Sequence, residues 1–173
     1  THAAVWLAIA ATRLEDADRA GRLFDMHNPI NHSLTPERAM LYEREPYVMS
    51  ADLSYQAPVT GRGGWSWYTG SAGWFYRLIL ESLLGGRRET DRLYLAPCLP
   101  ADWQGFTLHY RYRETVYHIS VTRADDDGQA GVSVDGVEQA DGSIPLVDDR
   151  QEHSVEIRIN SCGSHFPPSE NAS

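Results

Sequence analysis

The sequence predicts an α+β chain, with a helical N-terminal part followed by an antiparallel β part. Apolar residues recur at steps of three and four over 3–26 and again over 71–84. After Pro97 and Pro100 the repeat changes to two. Three Asp-Gly pairs, Asp127-Gly128, Asp135-Gly136 and Asp141-Gly142, then mark tight turns between short apolar runs.

Residues 3–26 read as one helix, with Ala3, Leu7, Ala10, Leu14, Ala17, Gly21 and Phe24 on one face. Asn28-Pro29 ends it, because the residue before a proline avoids the helical region. A second helix starts at Thr35-Pro36-Glu37, where a hydroxyl cap, a first-turn proline and an acid follow one another, and runs to about Glu43. Tyr47 to Ala51 is apolar and reads as a third helix or an irregular inner segment. A further helix runs from about Ser71 to Leu84, with Gly85-Gly86 as its C-terminal cap.

In the second part, Phe106, Leu108, Tyr110 and Tyr112 alternate with Thr107, His109, Arg111 and Arg113, as a half-buried strand does. Tyr117, Ile119 and Val121 continue in a partner strand. Val132–Val134, Ile144–Leu146 and Val155–Ile159 supply more. The boundary falls within 87–97, so that 1–92 form the helical domain and 93–160 the β domain. Residues 161–173 read as a disordered polar tail.

The bulk numbers exclude several functions. A net charge of −9 over 173 residues leaves no basic surface for nucleic acid or for direct contact with an anionic membrane. No apolar run approaches a membrane span, and no signal peptide is present. Two distant cysteines, Cys98 and Cys162, make no disulfide framework, which fits a cytoplasmic setting. The chain opens without Met inside a helical repeat, as a piece of something longer would.

Thr69-Gly70-Ser71 stands where a helix begins. The first N–H groups of a helix lack internal partners and its dipole makes that end positive, so a small hydroxyl-bearing turn there can hold phosphate. The same residues could equally be a plain cap, and no Walker loop is present. Trp65, Trp67, Tyr68, Trp74 and Tyr76 surround this turn in sequence and suit either sugar faces or a core. His2 alone means little. His27 and His32, separated by a proline break, are a poor metal pair, and no metal site or cofactor is expected. Glu43, Glu45 and Asp52 precede the aromatic motif. Glu45 draws most interest, as a ligand-facing or a structural carboxylate.

Three segments together carry a resemblance. They are Glu45-Pro46-Tyr47-Val48, the long run from Gly61-Arg62-Gly63-Gly64-Trp65 through Thr69-Gly70-Ser71-Ala72-Gly73-Trp74, and Pro97-Cys98-Leu99-Pro100-Ala101-Asp102-Trp103. The chain resembles the cellobiose phosphorylase-like glycoside hydrolase family 94. The stretch from Tyr110 to Ile119 is similar to its cyclic β-1,2-glucan synthase branch. The resemblance implies the last helices of an (α/α)6 barrel followed by a C-terminal antiparallel β-sandwich. It also implies phosphorolysis of a β-glucoside with inversion, giving α-glucose 1-phosphate with inorganic phosphate as co-substrate.

By the same resemblance His2, Thr69 and Gly70 hold the phosphate; Glu45, Arg62, Trp67 and Tyr68 are the candidate sugar contacts. The general acid is an Asp upstream of His2, so the 173 residues lack it and are expected to be inactive alone. Cellobiose-type members have a Gln near Ala51, and its absence favours a β-1,2-glucan or another β-glucoside. The partners implied are a β-glucan oligosaccharide, phosphate, the rest of the catalytic domain and a second copy. The compartment implied is cytoplasmic, free or on an inner-membrane protein. A non-catalytic carbohydrate-binding module and an (α/α)6 hydrolase are the alternatives.

Overall fold

The N-terminal apolar repeat folds as two helices, α1 (His2–Arg13) and α2 (Ala17–His27), where one was expected. Glu15 adopts a left-handed conformation, φ +57°. The Glu15 N–H bonds the Thr12 carbonyl and the Asp16 N–H that of Ala11, each at 3.0 Å, which is a Schellman ending. Asp16 then caps α2, its carboxylate accepting from the Arg19 N–H at 3.1 Å. The apolar repeat runs unbroken across this turn, so periodicity alone does not reveal it.

The buried face of α1 is also not the expected one. Val5, Ala8 and Ala11 are buried, whereas Leu7 and Leu14 are 48% and 77% exposed. An alanine-rich helix is apolar on several sides, and only its neighbours decide which side is covered.

The computed structural model describes residues 1–67, 69–124 and 129–160. Tyr68, the Asp127-Gly128 turn and the tail 161–173 lie outside the described residues. The chain divides into two units, Thr1–Leu83 and Leu84–Ser173.

In the first unit, α3 (Pro36–Tyr42) has the expected Thr35 cap, which accepts from the Arg38 N–H, and ends at left-handed Glu43. Residues 47–51 are irregular rather than helical, with Val48, Met49 and Ser50 buried. Helix α4 (Thr69–Arg77) widens into π-helical turns over Leu78–Leu83. Val5, Ala8, Ala11, Ala20, Leu78 and Leu83 form the core, with Leu23, Phe24, Trp74 and Phe75 against it. Phe24 and Phe75 stack at 5.3 Å.

The second unit is a pair of sheets around one core. Strands β1 (Gly86–Glu89), β2 (Arg92–Leu95) and β7 (Ile144–Pro145) form one, in the order β1-β2-β7. Strands β3 (Gly105–Tyr112), β4 (Thr115–Arg123), β5 (Gly131–Val134), β6 (Val137–Glu138) and β8 (Glu152–Ile159) form the other, in the order β3-β4-β8-β5-β6. Leu93, Leu95, Ile144 and Leu146 from the first meet Tyr117, Ile119, Val121, Val155 and Ile157 from the second. The hairpin β1–β2 pairs Gly86 with Leu95 and β2 pairs with β7, so residues from Leu84 onward belong here rather than from 93.

One pairing corrects the all-antiparallel expectation: β4 and β8 run parallel, Val116 opposite Glu152 through Arg123 opposite Ile159. The chain between them is long enough to cross over and return, which is what parallel neighbours need. Asp135 (φ +50°) and Gly136 (φ +80°) make the two-residue turn between β5 and β6 that the Asp-Gly pair predicts.

The corner before β8 is held by polar bonds. Fully buried Thr115 accepts from the Asp149 and Arg150 N–H groups at 2.9 Å each and donates to the Asp149 carboxylate at 3.2 Å. The hydroxyl of buried Tyr117 accepts from the Val147 N–H at 2.8 Å, and burial raises its pKa. His153 stacks on Tyr117 at 5.0 Å. Its Nδ1 lies 2.7 Å from Asp135 and its Nε2 3.3 Å from Asp149. The hydrogen bond to Asp135 raises the His153 pKa against its partial burial, and the same bond lowers that of Asp135.

Two outcomes follow. Thr115→Val leaves two backbone donors without their acceptor and should destabilise the β unit by about 1–3 kcal/mol in denaturant unfolding. The His153 contribution is complete below its ordinary pKa of about 6.5 and fades as pH rises through the raised folded value, whereas that of Asp135 is complete above about 4 and fades as pH falls through its lowered value. His153→Gln should therefore cost most between about pH 4 and 6.5 and progressively less above, and a cost in thermal melts that does not decline as pH rises well above 6.5 contradicts the pairing.

Candidate functional site

In the first unit, side chains of α1, the loop 44–67 and the start of α4 form two groups. The first centres on His2. The Thr1 nitrogen donates to the Ala51 carbonyl at 2.9 Å, and the Ala51 N–H donates to the Trp65 carbonyl at 2.8 Å. This ties the start of α1 to the glycine-aromatic loop. The His2 ring meets Trp6 edge-on at 4.8 Å and Trp74 at 5.9 Å, and the two indoles meet at 5.5 Å. His2 Nε2 is buried and has no hydrogen-bond partner among the described residues. Buried polar atoms are nearly always partnered, so such an atom asks for a ligand or water.

Trp74 stands one helical turn beyond Gly70, so this imidazole packs against the middle of α4. At the start of that helix Thr69 is exposed, Gly70 half-buried and Ser71 buried. The first turn of α4 carries no acidic residue, leaving its positive end unneutralised. A partnerless imidazole nitrogen suits an oxyanion, and so does a helix start without acidic residues.

The second group centres on Glu45. The Trp67 indole N–H donates to its carboxylate at 2.9 Å, and Tyr47 meets the Trp67 ring edge-on at 6.5 Å. The Glu45 carboxyl is held below its ordinary pKa by its own backbone N–H first, then by Trp67, with Ser66 and Arg44 adding to this. Trp67 has a left-handed backbone, φ +59°, and its ring and that of Trp65 are 68% and 78% exposed. Exposed indoles next to an ionised carboxylate make a flat wall with an acceptor at its edge, the combination that sugar hydroxyls and C–H faces use.

The loop is held by backbone bonds and close approach. The Arg44 guanidinium donates to the Gly64 carbonyl and, at 2.6 Å, to that of Glu43. A Cβ on Gly64 would stand 1.9 Å from the Asp52 carboxylate, and one on Gly63 2.9 Å from the Tyr42 ring. The alternating glycines are thus required by contact with α3 and its following loop.

Residues 1–85 match the model of the glycosyl hydrolase 94 superfamily, catalytic domain. The chain belongs to the glycosyl hydrolase 94 superfamily. Residues 87–126, which hold β1–β4, match the glycosyl hydrolase family 65, C-terminal domain. The chain is 45% identical over 78% of its length to the cyclic beta-(1,2)-glucan synthase NdvB of Rhizobium meliloti. It is 30% identical over 84% to the N,N'-diacetylchitobiose phosphorylase of Vibrio proteolyticus, and 26% over 72% to the 1,2-beta-oligoglucan phosphorylase of Listeria innocua. It spans only 5%, 18% and 13% of these relatives.

Within this member of the superfamily, His2 packs against Trp74 of α4, the helix that opens with Thr69 and Gly70, and Glu45 bonds Trp67. Arg62 pairs with Glu43 at 2.7 Å, both half exposed. Tyr68 lies outside the described residues. His27 and His32 bond the backbone carbonyls of Leu23 and Met26, at 2.5 and 2.9 Å. Sequence reasoning missed Trp6, although it lies one helical turn from His2, and Arg44, whose loop-bracing role has no sequence signal. Among the described residues no helix is long and apolar enough to cross a membrane.

Trp67→Phe keeps the aromatic wall but removes the indole donor, so the Glu45 pKa should rise toward its ordinary value. A carboxyl titration followed by NMR that leaves Glu45 unmoved would show that the indole contributes nothing.

Proposed function

We propose that this chain carries the phosphate-binding part of an inverting β-glucoside phosphorylase acting on a β-1,2-glucan. The observation that carries the reading is the buried, partnerless Nε2 of His2, whose ring packs against Trp74 of the helix that opens with Thr69 and Gly70. Its support comes from membership of a superfamily whose relatives here are named as phosphorylases, and from the identity to a cyclic β-1,2-glucan synthase.

In this reading His2, the Thr69 hydroxyl and the Gly70 N–H hold inorganic phosphate against α4. A phosphate oxygen attacks the anomeric carbon from the face opposite the glucosidic bond. The C1–O bond breaks, and an aspartic acid from outside these residues protonates the departing oxygen. The product is α-glucose 1-phosphate, with configuration inverted. Phosphate replaces the base and water of a hydrolase, so one catalytic carboxyl suffices. Glu45, Arg62, Trp67 and Tyr68 contact the sugar, with Glu45 accepting from hydroxyls. The four helices belong to an (α/α)6 barrel completed by the rest of the catalytic domain, in a cytoplasmic protein that pairs with a second copy.

The full-length protein should release glucose 1-phosphate from β-1,2-oligoglucan only when phosphate is present. Phosphate-independent release of glucose would make it a hydrolase, and glucan binding without turnover a binding module. In that protein Thr69→Val should raise the phosphate KM roughly tenfold to a hundredfold, the loss of one charged hydrogen bond worth about 1.5–3 kcal/mol. An unchanged phosphate KM would remove Thr69 from the site. The 173 residues alone should show no turnover.

A further inference from the structure

The outward face of the five-stranded sheet carries two imidazoles that face each other. His109 on edge strand β3 stands directly opposite His118 on β4. Their Nδ1 atoms are 2.8 Å apart and their rings are nearly perpendicular, at 78°. The other nitrogen of His118, Nε2, lies 3.0 Å from the Glu152 carboxylate on β8. His118 is 43% exposed and Glu152 77%, so the group opens to solvent.

The chemistry of these contacts is directional. A carboxylate only accepts, so the bond to Glu152 puts the proton of His118 on Nε2 and leaves its lone pair on Nδ1, aimed at His109. Carboxylate, imidazole, then a free imidazole nitrogen is the order by which proteins orient histidines toward metal ions.

We propose that His109 and His118 bind a divalent transition-metal ion of the zinc class through their Nδ1 atoms, with Glu152 as the orienting partner. Among the described residues no group of three or more His, Cys, Asp or Glu side chains could hold a metal ion. The ion is therefore held by two imidazoles, with water completing an open shell. Bond lengths of 2.0–2.1 Å at a tetrahedral angle set the two nitrogens about 3.3 Å apart. The present 2.8 Å opens by about half an ångström, within reach of small rotations of two solvent-facing side chains. Without metal, His109 donates its Nδ1 proton to His118; on loading, His109 carries that proton on Nε2 instead. Imidazole ligands select zinc, nickel or copper over magnesium and calcium. The ion would clip edge strand β3, which has a strand neighbour on one side only, to β4 on the outward face.

Zinc titrated alone into the full chain, followed by calorimetry and by histidine NMR, tests this. The expected result is one zinc bound per chain, shifts at His109 and His118, a raised melting temperature and no response to magnesium. His109→Thr and His118→Thr, which keep strand propensity, should each weaken binding at least tenfold, and Glu152→Ala about 10–100-fold. His153→Gln should leave it unchanged. Zinc-free melts establish that the variants fold. Wild-type affinity in both threonine variants, zinc shifts confined to other histidines, or no binding at millimolar zinc would each overturn the proposal.

Discussion

The first unit depends on the contact between the start of α1 and the middle of α4. His2 and Trp6, one turn apart on α1, close against Trp74 on α4, while the nitrogen preceding His2 bonds the Ala51 carbonyl. Aromatic faces supply the apolar area and orient the imidazole edge-on, so its Nε2 is buried and unsatisfied. That atom is costly unless something polar meets it. Binding sites accept such costs because a ligand offsets them.

The β unit rests on a different constraint. Parallel pairing of β4 with β8 requires the chain to pass through β5, β6 and β7 before β8 returns between β4 and β5. The return is steered by Thr115, Tyr117 and His153, which satisfy the backbone of residues 147–150 or bracket it with Asp135 and Asp149. These side chains sit at the rim of an otherwise apolar core, where a satisfied polar network fixes one register without burying a bare charge.

Much of this was legible in the sequence. The Thr35-Pro36-Glu37 cap, the alternation from Phe106 to Tyr112 and the Asp135-Gly136 turn all rest on chemistry within a few residues, and each appears as expected. The candidate phosphate turn was legible for the same reason, since Thr69-Gly70-Ser71 is a local signal at a local helix start. The break at Glu15 was not, because a left-handed glutamate leaves the apolar repeat intact. The Arg62–Glu43 pair and the Arg44 brace were not legible either, because both depend on how the loop 44–67 closes on α3.

The sequence by itself determined the family, the order of helices then strands, and which residue types gather near the α4 start. These follow from local propensity, periodicity and motif spacing, which act over a few residues at a time. Tertiary structure alone decided which face of α1 is covered, that β8 lies parallel to β4, and that His2 is buried without a partner. The physical reason is common to all three: each is a contact between segments far apart in the chain, chosen by competition among neighbours that no local pattern records.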